Sequence, residues 1–464
     1  MEMNRKSQIG VIGLGTMGSA IVETLVRNEF VVTAFEPVSP KILLPPIGAN
    51  QAPTLPSLVA ELEPPRKILL MVKAGSGVDE IINQLTGYLE KGDIIIDGGN
   101  SHFSDTERRV SALKRLGLGY IGAGISGGEQ GALSGASIMV GGPKECFKAV
   151  REFLEAIAAA DDKKIYCKHF GSGGVGHFIK MVHNGIEYGL LQAIGEAYLL
   201  LNQGLRLNHV DCASVFDDWQ QGALNSYLIG ITAEILKKEE ESGDHLIAFI
   251  DDSADQTGTG RWMVNEAMNL GIPVPSIYEA VAARSLSGNQ KERREIVKIG
   301  WEDSSNLHST IKEIQCGLIA TFWCCLAQGF ALLSAGMKSY GWPKKEDEIA
   351  EVWLHGCIIR SGFLNTINQS YIKNPNLNHL FSCSDIGKYL NKELQGLRNA
   401  VSSAIRAGLP VPTMASAINY VDALKSERLW TALIQAQRDY FGAHTYRRID
   451  REGSFHTHWA EGRG

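Results

Sequence analysis

One stretch of the sequence carries side chains whose types and spacing could perform acid–base chemistry. Lys180 is followed at three, four, seven and eight positions by His183, Asn184, Glu187 and Tyr188, a spacing that puts all five on one face of an α-helix. A solvated face is the usual explanation of such a stripe. This one is short, mixed in charge and flanked by apolar residues, so we expect it to line a cleft. There a desolvated lysine can lose its proton near neutral pH and act as a general base, and a glutamate two turns away can act as the acid at another stage. An oxidation followed by return of a proton requires such a separated base and acid.

A glycine-rich turn near the N-terminus has the spacing of a dinucleotide-binding loop. It follows the apolar run Ile9–Ile12 and opens a helical stretch. In that setting the three glycines permit a tight turn, close approach of a pyrophosphate, and close packing of helix on sheet, while the helix N-terminus offers N–H groups to the anion. The bare pattern also occurs as a turn in unrelated α/β domains, but the flanking strand and helix favour a Rossmann site. The predicted cofactor-binding residues of this turn are Gly13, Leu14, Gly15, Thr16, Met17 and Gly18.

An acidic residue at the end of the second predicted strand bears on the choice of cofactor. Glu36 stands eighteen positions beyond the last glycine of the turn. A carboxylate there can accept hydrogen bonds from both ribose hydroxyls and would repel a 2′-phosphate, and the neighbours Pro37 and Val38 supply no positive charge. We therefore expect NAD to be preferred, with NADP possible. In the alternative interpretation Glu36 is an exposed strand end, and Lys41 or Arg66 meets a phosphate instead.

The elements that must position these motifs alternate in the first third of the chain. Apolar runs of buried-strand type are separated by helical stretches, a rhythm that predicts a parallel, doubly wound sheet. These runs are Ile9–Ile12, Val31–Phe35, Ile68–Val72 and Ile94–Asp97, and further runs at Tyr120–Ile121, Ser137–Val140 and Ile165–Phe170 extend the sheet to about residue 172. The stretch Gly171–Gly176 then indicates a hinge or the start of a helix.

Beyond residue 176 the pattern becomes helical, as in Glu187–Asn202, Ala223–Leu236 and Ser309–Leu333. We predict an α/β Rossmann N-terminal domain, a large all-α C-terminal domain and an extended C-terminal tail. The boundaries are 1–176 for the dinucleotide-binding domain, 177–430 for the helical substrate and dimerisation domain, and 431–464 for the tail. The tail is rich in arginine, histidine and aromatic residues and poor in core periodicity, so we expect it to pack on something else.

Composition excludes several classes of protein. A chain of 464 residues is too long for one ordinary core, and its net charge of −6 argues against nucleic-acid binding. The eight cysteines lack metal-type spacing and fit reduced thiols, so we expect no metal site. There is no signal-peptide core and no uninterrupted apolar run of membrane-spanning length. We expect a cytoplasmic protein with no membrane partner.

Taken together, the helix and five other blocks resemble the 6-phosphogluconate dehydrogenase family, the decarboxylating enzymes of the pentose phosphate pathway. The match runs from near the N-terminus to the tail. Generic β-hydroxyacid dehydrogenases share the glycine turn and a helix lysine, but lack the last of these blocks. The blocks are Val72–Gly75, Asp97–Ser101, Ser126–Glu129, Gly258–Trp262 and Gln435–His444.

The resemblance implies a role for each catalytic position. Lys180 would take the proton of the 3-hydroxyl while C3 passes hydride to the nicotinamide, and Asn100 and His183 would hold that hydroxyl. The resulting β-keto acid loses carbon dioxide easily once its carbonyl is polarised, which the protonated Lys180 can do without a metal. Glu187 would then protonate C1 of the enediol.

The resemblance also implies the binding residues. Backbone N–H groups at Ser126, Gly127 and Gly128 would cradle the substrate carboxylate, and Asn184 would touch the substrate. Tyr188, Arg261 and Arg284 would form the phosphate pocket. Arg438 and His444 would reach in from the other subunit of a homodimer, and Ser454–Trp459 resembles a tail that threads into that subunit. The remaining cofactor contacts would be Val72, Lys73, Ala74 and Asn100.

Six positions depart from the family pattern, three of them in one run. Members that use NADP usually have Asn-Arg-Thr where this chain has Glu36-Pro37-Val38, which argues against NADP. Arg261 replaces a usual lysine and can still bind phosphate in a bidentate fork. Met263 replaces a usual threonine and removes a possible hydroxyl donor to phosphate. Gly15 replaces a common alanine, which the turn tolerates.

Two other functions remain open at this point. One is a dehydrogenase of an unphosphorylated or differently phosphorylated sugar acid. The other is a catalytically silent dinucleotide-binding scaffold that acts through its dimer surface. The presence of both Lys180 and Glu187 argues against the scaffold, which has no need of a base and an acid.

Overall fold

The computed structural model describes residues 6–37, 45–241, 243–300 and 306–459. Val38 and Lys41, considered above, lie outside these residues, as does the end of the predicted tail, 460–464. The chain forms two compact units, Met1–Ala417 and Ile418–Gly464. The first contains an eight-stranded sheet within the described residues and then a long series of helices, which confirms the predicted fold class. The boundaries at residues 176 and 430 stay predictions.

The apolar runs of the first third form the strands of one sheet. In chain order the described strands are β1 (Ile9–Ile12), β2 (Val32–Phe35), β3 (Asn50–Gln51), β4 (Lys67–Leu70), β5 (Ile94–Asp97), β6 (Gly119–Ser126), β7 (Ser137–Gly141) and β8 (Cys167–Gly171). They lie side by side in the order β3-β2-β1-β4-β5-β6-β7-β8. Among these strands β6 and β7 pair antiparallel, which departs from the predicted parallel order. The connection 127–136 between them is shorter than the dozen or so residues that a parallel crossover requires.

Helices flank the strands in the chain and follow them through the remaining described residues. Up to the end of the sheet they are α1 (Thr16–Arg27), α2 (Leu55–Glu61), α3 (Ser76–Leu85), α4 (Phe103–Arg115), α5 (Gly128–Ser134) and α6 (Lys144–Ala156). After it come α7 (Val175–Leu199), α8 (His209–Gln220), α9 (Tyr227–Lys237), α10 (Thr259–Asn269), α11 (Pro275–Ser287), α12 (Gln290–Val297), α13 (Ile311–Ser339), α14 (Glu346–Val352), α15 (Gly362–Lys373), α16 (Ser384–Arg406), α17 (Pro412–Lys425) and α18 (Thr431–Gly442).

The register of the parallel strands brings the loops after β1, β2, β4 and β5 to one edge of the sheet. Ile12 pairs with both Phe35 and Leu70, and Leu70 pairs with Asp97. Successive residues of a strand face opposite sides. Val11 therefore belongs to the core cluster on one face, and Ile12 to the cluster on the other. Burial on both faces explains why these strands read as continuous apolar runs.

The glycine-rich stretch before α7 is the start of a helix and is too tightly packed to act as a free hinge. A Cβ added at Gly176 would lie 2.5 Å from the carbonyl oxygen of Met139 and 2.6 Å from that of Gly122. Only glycine permits so close an approach of helix to sheet. The first turn of α7 is therefore fixed directly against the backbone of β6 and β7.

Two further contacts hold α7 within the helical region. It packs against α13, whose mean hydropathy of 1.8 over its most apolar window would suit a membrane span, but 94% of that window is buried inside the protein. Near the end of α7 the buried carboxylate of Glu196 accepts hydrogen bonds from Thr413 N at 2.8 Å and Met414 N at 2.9 Å. These N–H groups belong to the first turn of α17. Burial raises the pKa of Glu196 to about 7.

The second unit contains α18 and a short antiparallel turn held by one buried carboxylate. Tyr446 and Phe455 exchange backbone hydrogen bonds of 2.8 Å. Asp439 accepts hydrogen bonds from Thr445 N, Thr457 N, His456 Nδ1 and Trp459 Nε1, at 2.8 to 3.0 Å. These charge-assisted contacts lower the pKa of Asp439 to about 2. One carboxylate thus organises most of the described tail.

Candidate active site

The predicted catalytic stripe lies on α7, where that helix crosses β6. The stem of Lys180 rests on Gly124, where an added Cβ would lie 2.5 Å from the lysine Cβ. One turn further on, His183 Nε2 is 3.0 Å from the hydroxyl oxygen of Ser126, the last residue of β6. Lys180 is 7% exposed and His183 is fully buried. The stripe therefore faces the end of the sheet rather than solvent, as its mixed polarity predicted.

Burial sets the charge states along this stripe. It lowers the pKa of Lys180 from 10.5, although Glu187 opposes the shift. It holds the pKa of His183 well below its usual range, with a further lowering from the nearby Lys180, so the imidazole is neutral. It raises the pKa of Glu187, against the opposing effects of Lys180 and Arg284. Glu187 Oε2 lies 3.8 Å from His183 Nδ1. Burial thus shifts the pKa of Lys180 and that of Glu187 towards each other, the direction that a base and an acid require.

The far end of the stripe meets the start of α10. Asn184 Nδ2 donates a hydrogen bond of 3.3 Å to the hydroxyl of Thr259. A Cβ at Gly260 would lie 2.6 Å from the ring of Tyr188. The guanidinium carbon of Arg284 lies over that ring, 3.5 Å from its centre. A tyrosine, an arginine and a helix N-terminus thus converge, an arrangement that suits an anion.

Arg261 and Met263, the two α10 positions that depart from the family pattern, differ in exposure to solvent. Arg261 is exposed, and its guanidinium folds back towards Gly258. Met263 is fully buried and packs against Gly185 of α7. The side chain of Met263 is therefore part of the packing between α10 and α7, and a hydroxyl in its place would be buried rather than offered to a ligand.

The glycine turn lies at the end of β1, directly before α1. Gly13 has a φ of +99°, and α1 begins at Thr16, directly after its N-cap residue Gly15. No atom approaches within 4 Å of a Cβ placed at Gly15, so that face of the turn is open. Leu14 N donates a hydrogen bond of 2.6 Å to Glu36 Oε2. The start of a helix, whose first N–H groups have no partner within the helix, and a carboxylate that could accept from a ribose thus lie together, as a dinucleotide requires.

The alternative phosphate contact at Arg66 does not fit the structure. Its Nη1 donates a hydrogen bond of 3.0 Å to Asp93 Oδ2, and its backbone N–H donates one of 2.6 Å to Asp93 Oδ1. Nη2 lies 3.5 Å from Glu90 Oε1. The guanidinium is already paired with two carboxylates, which disfavours a role in binding phosphate.

Three other loops carry the remaining predicted contacts of the first unit. Val72, Lys73 and Ala74 follow β4, and Asn100 follows β5 with its side chain exposed. Ser126, Gly127 and Gly128 join β6 to α5. At Gly127 φ is +154°, and an added Cβ would lie 2.6 Å from the carbonyl oxygen of Gly356. That close approach leaves room only for glycine in the predicted carboxylate cradle.

Arg438 and His444 belong to the second unit. Arg438 is exposed, and its Nη1 donates a hydrogen bond of 3.1 Å to Gln435 Oε1. His444 is also exposed, with its ring edge-on to Phe441 at 6.1 Å between ring centres. Both predicted residues lie in the part of the chain that Asp439 organises.

Sequence reasoning missed several residues of the site. Thr259 was quoted within a block but not singled out, although a small hydroxyl residue between two glycines at a helix start is a recognisable signal. Buried Cys357 lies close enough to Lys180 and Glu187 for their charges to affect the pKa of its thiol. The ring of Trp353 lies edge-on to that of His183, with 5.4 Å between the ring centres. Nothing local in the sequence marks these two, because they come from a distant loop.

Comparisons with known proteins agree with this geometry. A family model described as the NAD binding domain of 6-phosphogluconate dehydrogenase matches residues 8–171, and one for the C-terminal domain of 6-phosphogluconate dehydrogenase matches residues 176–459. Two Bacillus subtilis relatives are named as decarboxylating 6-phosphogluconate dehydrogenases. The NADP(+)-dependent one is 44% identical (98% of this chain, 99% of the relative), and the NAD(+)-dependent one is 43% identical (98% and 100%).

A solved structure extends the likeness to three dimensions. The Plasmodium falciparum 6-phosphogluconate dehydrogenase superposes with a TM-score of 0.91 at 35% identity, covering 97% of this chain and all of the other. The resemblance predicted from the sequence is therefore confirmed. Within the described residues no group of three or more histidine, cysteine, aspartate or glutamate side chains could hold a metal ion.

Proposed function

The chain belongs to the 6-phosphogluconate dehydrogenase family, and we propose that it converts 6-phospho-D-gluconate to D-ribulose 5-phosphate and carbon dioxide with NAD as the preferred oxidant. The observation that carries this proposal is the pairing on α7 of buried Lys180 with partly buried Glu187. An amine whose pKa is lowered and a carboxyl whose pKa is raised share one helix face beside the end of the sheet. A dinucleotide-binding turn stands at the same sheet.

Each step can be written with the residues of this chain. When bound, the nicotinamide ring supplies the acceptor for the hydride that leaves C3. The neutral amine of Lys180 takes the proton of the 3-hydroxyl, which leaves a 3-keto acid and a protonated lysine. That ammonium group polarises the new carbonyl and returns its proton to the oxygen at C3 as the C1–C2 bond breaks, which releases carbon dioxide and an enediol. Protonated Glu187 then donates a proton to the carbon that was C2 of the substrate and is C1 of the enediol, while Lys180 takes back the proton of the enediol hydroxyl at the former C3. Neutral His183 orients that oxygen, and transfer of a proton from Lys180 to Glu187 restores the starting state.

The cluster at the start of α10 supports a phosphorylated substrate. Arg284, Tyr188 and the first N–H groups of α10 provide one positive charge and several donors, which an unphosphorylated sugar acid would leave unused. We expect kcat/KM to be at least about 100-fold higher for 6-phosphogluconate than for gluconate, because a hydrogen bond to a charged group contributes about 1.5–3 kcal/mol and the phosphate would accept at least two. The assay measures NADH by absorbance and traps carbon dioxide with either substrate. A higher kcat/KM on gluconate would overturn the phosphate assignment.

The preference for NAD is supported by Glu36. Its carboxylate accepts a hydrogen bond from Leu14 N, which puts a negative charge at the turn where the adenosine ribose would lie. Relatives named for either cofactor are about equally similar to this chain, so the preference depends on this residue. Steady-state kinetics with both cofactors test it, and an equal or inverted preference would contradict it.

We also propose that the active form is a homodimer in which Arg438 and His444 of each subunit complete the site of the other. Large apolar side chains on and beside α18 support a partner surface, since Trp430 is 67% and Phe441 71% exposed. Mixing the inactive variants Lys180→Met and Arg438→Met tests the exchange. Random hybrid dimers should recover about a quarter of wild-type activity, because half the dimers are hybrids and each has one intact site. No recovery after verified subunit exchange would contradict it.

A cytoplasmic location completes the proposal. The cysteines, all within the described residues, are free thiols and most are buried, which fits a reducing compartment. Cell fractionation with an antibody tests this location, and recovery mainly in an oxidising compartment would contradict it.

A further inference from the structure

A buried arginine outside the site described above joins two of its loops. Arg109 on α4 is 2% exposed. Its Nε and Nη2 donate hydrogen bonds of 2.9 and 3.1 Å to the two carboxylate oxygens of Asp79. Its Nη1 donates to Asp97 Oδ2 at 3.3 Å and to Ser101 Oγ at 3.1 Å. Its Nη2 also donates to the carbonyl oxygen of Gly75 at 3.0 Å. Every nitrogen of the guanidinium is engaged.

The partners of Arg109 stand at the ends of two loops that the proposed reaction uses. Gly75 closes the loop Val72–Gly75, which follows β4. Ser101 comes directly after Asn100 in the loop that follows β5. The loops also touch directly, since a Cβ at Gly99 would lie 2.9 Å from the carbonyl oxygen of Val72. One rigid planar group thus bonds both loops and the strand end between them.

Arg109 forms ion pairs with two carboxylates, those of Asp79 and Asp97. Asp97 is fully buried and also accepts hydrogen bonds from Ser101 Oγ and Tyr120 Oη, both at 2.7 Å. The hydrogen bonds from Arg109 and Arg108 lower the pKa of Asp79 to about 2. Loss of the positive charge of Arg109 would leave the Asp97 carboxylate buried without its counter-charge, and loss of the hydrogen bond from Nη1 alone would let the loop that begins at Asp97 shift.

We propose that Arg109 is a positioning residue that fixes the Val72–Gly75 loop against the Asn100 loop, so that the nicotinamide and the hydroxyl at C3 meet at reaction distance. This inference rests on the proposed function, which makes the first loop a cofactor contact and Asn100 a substrate contact. The planar guanidinium of Arg109 points its N–H donors at both loops at once, as a fork. A lysine cannot reproduce this arrangement, because its single ammonium does not present donors in one fixed plane.

The Arg109→Lys variant keeps the charge and loses the fork. A misplacement of about 1 Å near the reacting atoms typically costs about 100-fold in rate. We therefore expect kcat to fall about 10- to 100-fold while KM for 6-phosphogluconate changes by less than about 3-fold. The deuterium isotope effect on kcat with substrate labelled at C3 should rise, because hydride transfer becomes slower than the other steps. NAD binding, followed by fluorescence quenching without substrate, should weaken.

Arg108→Lys is the matched control. Arg108 is the neighbouring residue, is 55% exposed in its side chain, and donates to the same Asp79 and to Asp105, but bonds neither loop. It should leave kcat, the isotope effect and NAD affinity near wild type. If Arg109→Lys does not fold, as judged by circular dichroism and a cooperative thermal transition, Ser101→Ala is the second variant. It removes the hydroxyl that links Asp97 to Arg109 and should raise the isotope effect to a smaller degree.

A folded Arg109→Lys protein with wild-type kcat, isotope effect and NAD affinity would overturn the inference. So would a Ser101→Ala protein without effect where Arg109→Lys cannot be obtained. Equal losses in Arg108→Lys would overturn it as well, because Asp79 rather than the loops would then be the essential partner. If the wild-type chain fails to oxidise 6-phosphogluconate, the proposed function fails, and NAD affinity in the two arginine variants still tests the positioning role.

Discussion

Replacing Glu36 by glutamine removes one negative charge at the glycine turn while keeping the length of the side chain. Glutamine retains an acceptor oxygen for Leu14 N, which Glu36 Oε2 now holds at 2.6 Å, so the turn should keep its shape. What changes is the potential felt by a group on the 2′-carbon of the adenosine ribose. The variant therefore separates the electrostatic part of cofactor choice from the packing of the turn.

The size of the change follows from charge and distance. A 2′-phosphate carries a charge of about −2, and two unit charges about 4 Å apart interact by about 1 kcal/mol in water and about 4 kcal/mol at the lower effective dielectric of a protein surface. Glu36 is half-buried, so its repulsion of the phosphate is at least about 2 kcal/mol, or about 30-fold. Losing a charge-assisted hydrogen bond to the ribose costs about 1.5 kcal/mol, or about 10-fold. The ratio of kcat/KM for NAD over NADP should thus fall about 300-fold.

The assay is steady-state kinetics with 6-phosphogluconate at saturation and each cofactor varied. Salt gives a second readout, because exposed charges are screened over about 10 Å at 0.1 M ionic strength. In the wild type, kcat/KM for NADP should rise with salt, and in Glu36→Gln that rise should disappear. Glu23→Gln is the matched control, since Glu23 is exposed on α1 and the substitution removes the same charge. It should leave the cofactor ratio unchanged.

An unaltered ratio in Glu36→Gln would refute the reasoning, because the carboxylate would then not lie at the ribose. Equal effects of Glu36→Gln and Glu23→Gln would refute it too, since the net charge of the chain rather than a local contact would be responsible.

Further outcomes are expected at the base, the acid, the tail and the core. Lys180→Met should lower turnover at least about 1000-fold with NAD affinity unchanged by calorimetry, and retained activity would mean that the base is misassigned. In the wild type kcat/KM should rise with pH as Lys180 loses its proton, at a pH below its ordinary pKa, and Glu187→Gln should remove the fall at higher pH; a fall that persists would exclude Glu187 as the acid. Asp439→Asn turns two of the four hydrogen bonds that the carboxylate accepts into contacts between two donors, and should raise KM for 6-phosphogluconate about 10-fold without changing gluconate kinetics. The control Asp450→Asn, at an exposed ion pair of the same unit, should leave both substrates' kinetics unchanged. Equal effects of Asp439→Asn on both substrates would point to unfolding. Glu196 has its pKa raised to about 7, so its contribution to stability is full below about pH 4.5 and is lost as pH rises through 7, by about 3 kcal/mol; urea unfolding should show this slope in the wild type and not in Glu196→Gln, and equal slopes would contradict it.

The sequence was most informative where local pattern and chemistry coincide. The glycine turn, the first apolar strands β1, β2, β4 and β5, and the polar face of α7 depend on spacing within a few residues, and spacing is visible in a sequence. A cleft-lining role for the polar face of α7 could be predicted because a mixed polar stripe among apolar residues is costly to bury without a purpose. The assignment of Lys180 as base still came from chemistry and resemblance, since periodicity does not distinguish a base from a phosphate ligand.

The features that were not predicted depend on contacts between distant residues. Arg109 bonds Asp79, thirty positions earlier, and no local signal distinguishes it from exposed Arg108 beside it. The short edge strand β3 has two exposed polar residues and therefore no apolar pattern. The antiparallel pairing of β6 with β7 follows from the short connection between them. The length of that connection depends on where the two strands end, and the sequence leaves those ends uncertain by several residues. Trp353 is 170 positions from His183 in the chain, and folding of the helical region brings their rings into contact.

The direct contact between the start of α7 and the sheet has a consequence for how this chain can vary in length. Inserting one residue into an α-helix rotates everything after it by about 100° and advances it by about 1.5 Å. Because Gly176 is fixed against β6 and β7, a one-residue insertion or deletion before Glu187 would turn the later catalytic groups away from the end of the sheet. Length changes should therefore be excluded from this stretch, whereas connections such as that between α9 and α10 can gain or lose residues without moving the reacting groups.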